Sequence, residues 1–175
     1  AELAEQVVDL VLGRPHDEGG AWAAAGAVLP GLLERMLREP YFASFPPKST
    51  GRDLFNADWL QGMLTGAEDA QAVQATLLEL TSRSVADAVA RHCPGAQRII
   101  VCGGGAKNTA LMRRLAELLA PAALEASDRH GIDAQLVEAT AFAWLAQRAL
   151  EGLPGNLPSV TGARGPRVLG AVYTN

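Results

Sequence analysis

The sequence predicts an α/β chain that is rich in helix and short of strand, and three observations predict it. Residues 99–102 form a continuous apolar run, Ile-Ile-Val-Cys, the pattern of a strand covered on both faces in a parallel sheet. Gly103, Gly104 and Gly105 turn that run into a helix carrying Leu111, Leu115, Leu118 and Leu119 at helical spacing. Elsewhere, helical spacing of apolar residues dominates, and only two further short stretches read as strands. The sheet this implies is incomplete, because a strand apolar on both sides needs neighbours that the sequence does not supply.

A chain of 175 residues with 49% hydrophobic content buries a core as one domain, or as one lobe of a larger protein. The formal net charge of -4 gives no electrostatic reason to expect nucleic acid or an anionic membrane as partner. No apolar run approaches a membrane span and no secretory signal opens the chain, so the expected location is the cytoplasm. Cys93 and Cys102 are too few and wrongly spaced for a zinc site and are expected to be buried thiols. His16, His92 and His130 lack metal-ligand spacing, so no metal site is read from the residues.

In chain order, residues 2–12 place Leu3, Val7, Leu10 and Val11 on one helical face, closed by Gly13 and Pro15. A loop over residues 15–20 feeds a second helix over residues 21–38, its stripe being Trp22, Leu29, Leu32, Leu33, Met36 and Leu37. Gly26, Pro30 and Gly31 predict a kink or break within it. Residues 40–55 are too rich in proline for helix and too aromatic for a plain linker. Their donors Lys48, Ser49, Thr50 and Arg52 suit a phosphate or a sugar hydroxyl, while Tyr41, Phe42, Phe45 and Phe55 suit a packed surface loop, which the residue chemistry slightly favours. Of the 15 basic residues only Lys48 and Lys107 are lysines, both in Gly-containing loops, which hints at point charges near phosphate.

Asn56 is expected to cap a short helix carrying Trp59, Leu60 and Met63. A longer helix over residues 69–92 carries Val73, Leu77, Leu80, Val85 and Val89 and ends at Pro94-Gly95. After the glycine corner, residues 122–126 read as a short strand, residues 135–150 as a long apolar helix, and residues 168–173 as a last strand. Glu138 stands on that apolar helix with Phe142, not a cation, at i+4. A carboxylate there either faces water or binds something, and for a lone glutamate water is the default.

At the corner, Asn108 reads as a helix N-cap. Three bare glycines and a helix start let a nucleotide or phosphate approach the backbone. Counted from Gly103 and Gly105, the third glycine of the dinucleotide fingerprint falls on Asn108, and Lys107 is not set in a Gly-Lys-Ser/Thr sequence, so neither standard phosphate motif is met. By itself the corner fits a ligand site or a tight turn equally well.

Four blocks then carry a resemblance: Pro46-Pro-Lys-Ser-Thr-Gly-Arg-Asp-Leu-Phe55, Cys102-Gly-Gly-Gly-Ala-Lys-Asn108, Gly131-Ile-Asp-Ala-Gln-Leu-Val-Glu-Ala139 and Gly155-Asn-Leu-Pro-Ser-Val-Thr-Gly-Ala163. In this order the chain resembles the C-terminal half of the anhydro-N-acetylmuramic acid kinases. The resemblance implies one lobe, residues 1–175, of a two-lobed actin/hexokinase-like (ribonuclease H-like) fold, with the N-terminal lobe absent from this chain. It implies ATP and Mg2+ as cofactors, with Gly103, Gly104, Gly105 and Asn108 against the nucleotide and Glu138 approaching the amino sugar. The implied reaction opens the anhydro ring with water, helped by an aspartate base, while the released oxygen takes the γ-phosphoryl group to give N-acetylmuramic acid 6-phosphate in peptidoglycan recycling. The base falls upstream of Ala1, so no catalytic residue is assigned here, Asp9, Asp17 and Asp53 included. The chain alone is expected to be inactive, and a homodimer is possible for the complete protein. The alternative is a non-catalytic nucleotide-binding or interaction module that kept the lobe without its chemistry.

Overall fold

The computed structural model describes residues 2–173. Its axis is α6 (Ala70–His92), against which α1 (Glu2–Leu12), α2 (Ala21–Ala25), α3 (Pro30–Leu37) and α7 (Thr109–Leu119) pack. Every residue from Ala72 through Leu77 is buried. A helix apolar on most sides must be surrounded to be stable, and here four helices surround it. Asp69 starts it by accepting the Ala72 N–H at 3.0 Å. One core gathers Leu3, Leu32, Leu33, Met36, Leu60, Val73, Leu77 and Leu80; a smaller one joins Ala86, Leu115 and Leu119 beneath the sheet, with Ile99 and Leu124 against it.

The single stretch predicted over residues 21–38 breaks where Gly26 and Pro30 said it would. At Gly26 a Cβ would lie 2.4 Å from the Gln71 carbonyl oxygen, so only glycine lets α2 approach α6 this closely. The stripe of α1 differs from expectation. Val8 is fully buried, whereas Leu10 is 87% and Val11 46% exposed; the core that includes Val73, Leu77 and Leu80 of α6 takes the side of α1 bearing Leu3, Ala4 and Val7.

The expectation that residues 40–55 are too rich in proline for helix is corrected at their start: α4 (Pro40–Ala43) is a single helical turn with proline at its first position, where the missing N–H costs nothing. Tyr41, Phe42, Phe55 and Trp59 form a contiguous ring cluster, while Phe45, expected among the anchors, is 81% exposed. Asn56 caps α5 (Ala57–Met63) through the Trp59 N–H at 2.9 Å.

The sheet has two parallel strands among the described residues, β1 (Arg98–Val101) and β2 (Ala123–Ala126), with Arg98 opposite Ala123 and Val101 opposite Ala126. Coverage on both faces is corrected by the structure: Ile99 turns to the small core, but Ile100 is 50% exposed, since helices cover one face only. The last predicted strand is also corrected. Residues 168–173 form no strand; they lie along α8 (Val137–Leu150), where a Cβ on Gly170 would sit 3.5 Å from the Ala149 Cβ, away from any sheet edge. After α8, one further turn, α9 (Pro158–Thr161), completes the helices. Both cysteines, expected to be buried, are exposed, because Cys93 follows the end of α6 and Cys102 the end of β1, beyond the reach of either core. Among the described residues no helix is long and apolar enough to cross a membrane.

Candidate functional site

The site forms where β1 ends. Gly103 turns the chain with φ +76°, a conformation that favours glycine, and its N–H donates to the Ala134 carbonyl at 2.7 Å, tying the corner to the loop before α8. Residues 104–107 make one 3-10 turn, and Asn108 then accepts the Leu111 N–H at 2.9 Å, the cap that its position predicted. A Cβ placed on Gly103 or Gly104 meets nothing within 4 Å, so this stretch of backbone faces open space. At Gly105 it would meet Leu111 at 3.5 Å.

The loop over residues 15–20 closes the other side of the corner, a juxtaposition that sequence reasoning missed. Thr109 donates its hydroxyl to the Gly19 carbonyl at 2.9 Å. Gly20, at φ +73°, lies so close to Asn108 that a Cβ would fall 2.2 Å from its Oδ1. Both Asp17 oxygens are occupied in starting α2, accepting the Trp22 and Ala23 N–H groups at 2.8 Å each. The Gly19-Gly20 pair was the available signal, since two residues at positive φ mark a turn shaped to fit something.

Between corner and loop lies a cleft of about 600 Å³. Gly104, Gly105, Lys107 and Asn108 form one wall, His16 and Glu18 stand on the other, and Gln74, Leu78 and Thr81 of α6 make the floor. Its size and mixed lining suit a small ligand with both polar and apolar parts. A larger hollow of about 740 Å³ between α8 and residues 169–173 is almost wholly apolar and lacks convergent polar groups, so it reads as uncovered packing surface.

Beside the floor, Glu79 joins α6 to α7. Arg114 binds it in bidentate fashion at 2.7 and 2.8 Å, and Arg83 reaches the same carboxylate at 2.6 Å. Hydrogen bonds from Arg114 first, opposed by burial and reinforced by Arg83, hold the carboxyl down at about 2 against its ordinary 4.5. The same pairing, with Glu117 at 2.8 Å, raises the Arg114 pKa. This clamp fixes α7, and with it the cap beneath the corner.

Of the other sequence candidates, none lines the cleft. The Lys48 ammonium donates to the Tyr41 and Phe42 carbonyls at 2.9 and 3.3 Å and sits 4.6 Å from the Tyr41 ring centre. Ser49 and Arg52 are exposed, and the Arg52 carbonyl accepts from Asn56 at 3.2 Å. The Thr50 hydroxyl is buried without a partner among the described residues, at a hollow of about 320 Å³ shared with Phe42, Phe55 and Ser84. Glu138 is exposed in the first turn of α8. Among the described residues no group of three or more His, Cys, Asp or Glu is placed to hold a metal ion.

A parallel strand turning through bare glycines into a capped helix, beside a cleft at the strand's carboxyl end, is an α/β arrangement in which backbone N–H groups can meet an anionic ligand. The sequence places it more narrowly. The profile of the family described as anhydro-N-acetylmuramic acid kinase matches residues 2–175. The anhydro-N-acetylmuramic acid kinase of Chromobacterium violaceum is 56% identical over 164 residues, covering 92% of this chain and 45% of that protein. Those of Pseudomonas putida and Nitrosospira multiformis are 52% and 50% identical, over 92% of this chain and 45% and 44% of theirs. The chain belongs to the anhydro-N-acetylmuramic acid kinase family. It spans less than half the length of these curated relatives.

Proposed function

We propose that residues 1–175 are the C-terminal lobe of an actin/hexokinase-like sugar kinase that uses ATP to convert anhydro-N-acetylmuramic acid into N-acetylmuramic acid 6-phosphate, opening the anhydro ring with water, in cytoplasmic peptidoglycan recycling. One observation carries the reading: in a member of this family, the Gly103 and Gly104 backbone is open to ligand approach beside a cleft of nucleotide size.

The nucleotide fits the residues present. Gly104 and Gly105 line the cleft, and the start of α7 contributes a partial positive charge nearby. Asn108 acts through its cap, which holds the corner in shape. ATP supplies the phosphoryl group when bound; this lobe's part is to bind and orient it. Glu138, on a helix face open to solvent in this chain, is proposed to accept hydrogen bonds from the sugar, and Thr50 offers an unpaired hydroxyl in the 48–52 loop. The Mg2+ that the family resemblance implies has no ligand set among the described residues, and the catalytic base is proposed to lie in the preceding part of the complete protein.

The test is phosphoryl transfer by the complete protein, followed as ATP-dependent formation of the 6-phosphate sugar by mass spectrometry. Product dependent on both ATP and the anhydro sugar is expected. Its absence with a folded, ATP-binding protein overturns the reading. Residues 1–175 alone should give no turnover, and turnover there would overturn the upstream placement of the base.

A further inference from the structure

On the floor of the cleft, Gln74 is 4% exposed, and its Oε1 has no hydrogen-bond partner among the described residues. Its neighbours on α6 are partnered. Gln71 donates to the Trp22 carbonyl at 3.1 Å, and the Thr76 hydroxyl donates to the Ala72 carbonyl at 2.7 Å while accepting the Leu29 N–H at 3.0 Å. A buried amide oxygen without a donor destabilises the ligand-free fold, and native chains leave few such atoms. Gln74 is therefore a candidate to be completed from the cleft it lines.

The lining indicates which part of a nucleotide would complete it. Glu5 and Glu18 stand in the same cleft and would repel a phosphate beside them, whereas Lys107 attracts one toward the glycine corner; a neutral base is repelled by neither carboxylate. Leu78, Leu111 and Ala23 supply apolar surface for its faces. A primary amide offers a donor and an acceptor side by side, which matches the amino group and adjacent ring nitrogen of adenine. The end left without a partner is the oxygen, so the group the cleft must supply there is a donor, which the adenine amino group is and a carbonyl is not. We propose that Gln74 reads the base of the nucleotide, pairing with the adenine edge and setting the preference for ATP over purine nucleotides that carry a carbonyl at that position. This rests on the nucleotide lying against the glycine corner.

The experiment titrates the complete protein with ATP and with inosine triphosphate, which exchanges the amino group for a carbonyl, and repeats both with Gln74→Met. The parent should prefer ATP by about tenfold, and the variant should lose about tenfold in ATP affinity with the two nucleotides within about twofold of each other. The ligand-free Tm of Gln74→Met should equal or exceed that of the parent, because the orphan amide is gone. Should Gln74→Met fail to fold, Gln74→Asn, which keeps the amide but withdraws it by one methylene, should show the same lost discrimination. Unchanged ATP affinity and preference overturn the assignment of Gln74 alone. A lowered ligand-free Tm with equal losses for both nucleotides assigns Gln74 to the fold and also overturns it. A parent that binds neither nucleotide overturns the nucleotide reading and this inference with it.

Discussion

α6 and α8 are both rich in alanine, leucine and valine, yet α6 buries ten of its residues and α8 buries none. α6 is enclosed by α1, α2, α3 and α7. α8 meets chiefly the segment that follows it: Arg148 donates to the Pro154 carbonyl at 3.0 Å, and Gly155 presses on Leu145, while Phe142 stays 70% and Leu150 74% exposed. Apolar content is thus a demand for cover that only a neighbouring element can meet. The contrast extends to polar groups. On α6, burial forces pairing, as at Thr76 and Glu79, and makes the exception at Gln74 informative; on α8, Glu138 is solvated and needs no partner.

The comparison breaks first at the packed end. Met36 is fully buried between α3 and α6, so Met36→Ala should cost about 2–5 kcal/mol of stability in urea unfolding. A loss under about 1 kcal/mol would mean that the α6 core is loose and the two helices are alike after all.

Next comes the clamp. Glu79→Gln should cost about 1–3 kcal/mol, since it leaves Arg114 and Arg83 without their carboxylate. The unfolded chain takes up the Glu79 proton near 4.5 and the folded chain only near 2, so the stabilisation is fully present above 4.5 and is lost as pH falls toward 2. In acid unfolding the parent should lose stability across that window, and Glu79→Gln should show a shallower slope. Equal slopes would show that the clamp is open in solution.

A functional contrast is smaller in energy. In the complete protein, Gly104→Val should weaken ATP binding more than sugar binding, because its Cβ enters open space without disturbing the fold. Glu138→Gln should lower kcat/KM for the sugar by about tenfold, or about 1.4 kcal/mol, at little change in ATP affinity. Equal loss of both ligands in Gly104→Val would point to a misfolded corner, and kcat/KM within twofold for Glu138→Gln would leave Glu138 a solvated residue.

The smallest effect is expected on α8. Phe142→Ser in this chain should change stability by no more than about 0.5 kcal/mol, as for an exposed side chain. A larger loss would show that α8 is covered in solution, and sedimentation would report whether a second copy covers it.

Local chemistry made much of the fold legible. Asn56 and Asn108 each cap the helix they precede, as read from the sequence, because a cap is decided within three residues of its own position; Asp69, read as the first residue of its helix, is likewise its cap. The Gly26–Pro30 break and the β1 corner were equally local. The candidate site was legible in part. Gly104, Gly105 and Asn108 do share one cleft, but its opposite wall, residues 15–20, and its floor, Gln74 and Leu78, come from distant positions that no spacing rule joins to the corner.

By itself, then, the sequence determined the capped starts of α5 and α7, the break between α2 and α3, the glycine corner and, through four ordered blocks, the family; the single turns α4 and α9 it did not show. It could not determine which apolar residues are buried, since a hydrophobic side chain is satisfied by any neighbour and the neighbour is chosen by packing. Only the tertiary structure decided that Val8 rather than Leu10 is buried, that Ile100 stays half open, and that residues 168–173 follow α8 instead of joining the sheet. It alone decided that Arg114 and Glu79, 35 positions apart, neutralise each other, and that Gln74 is left beside the cleft with an amide oxygen still to be paired.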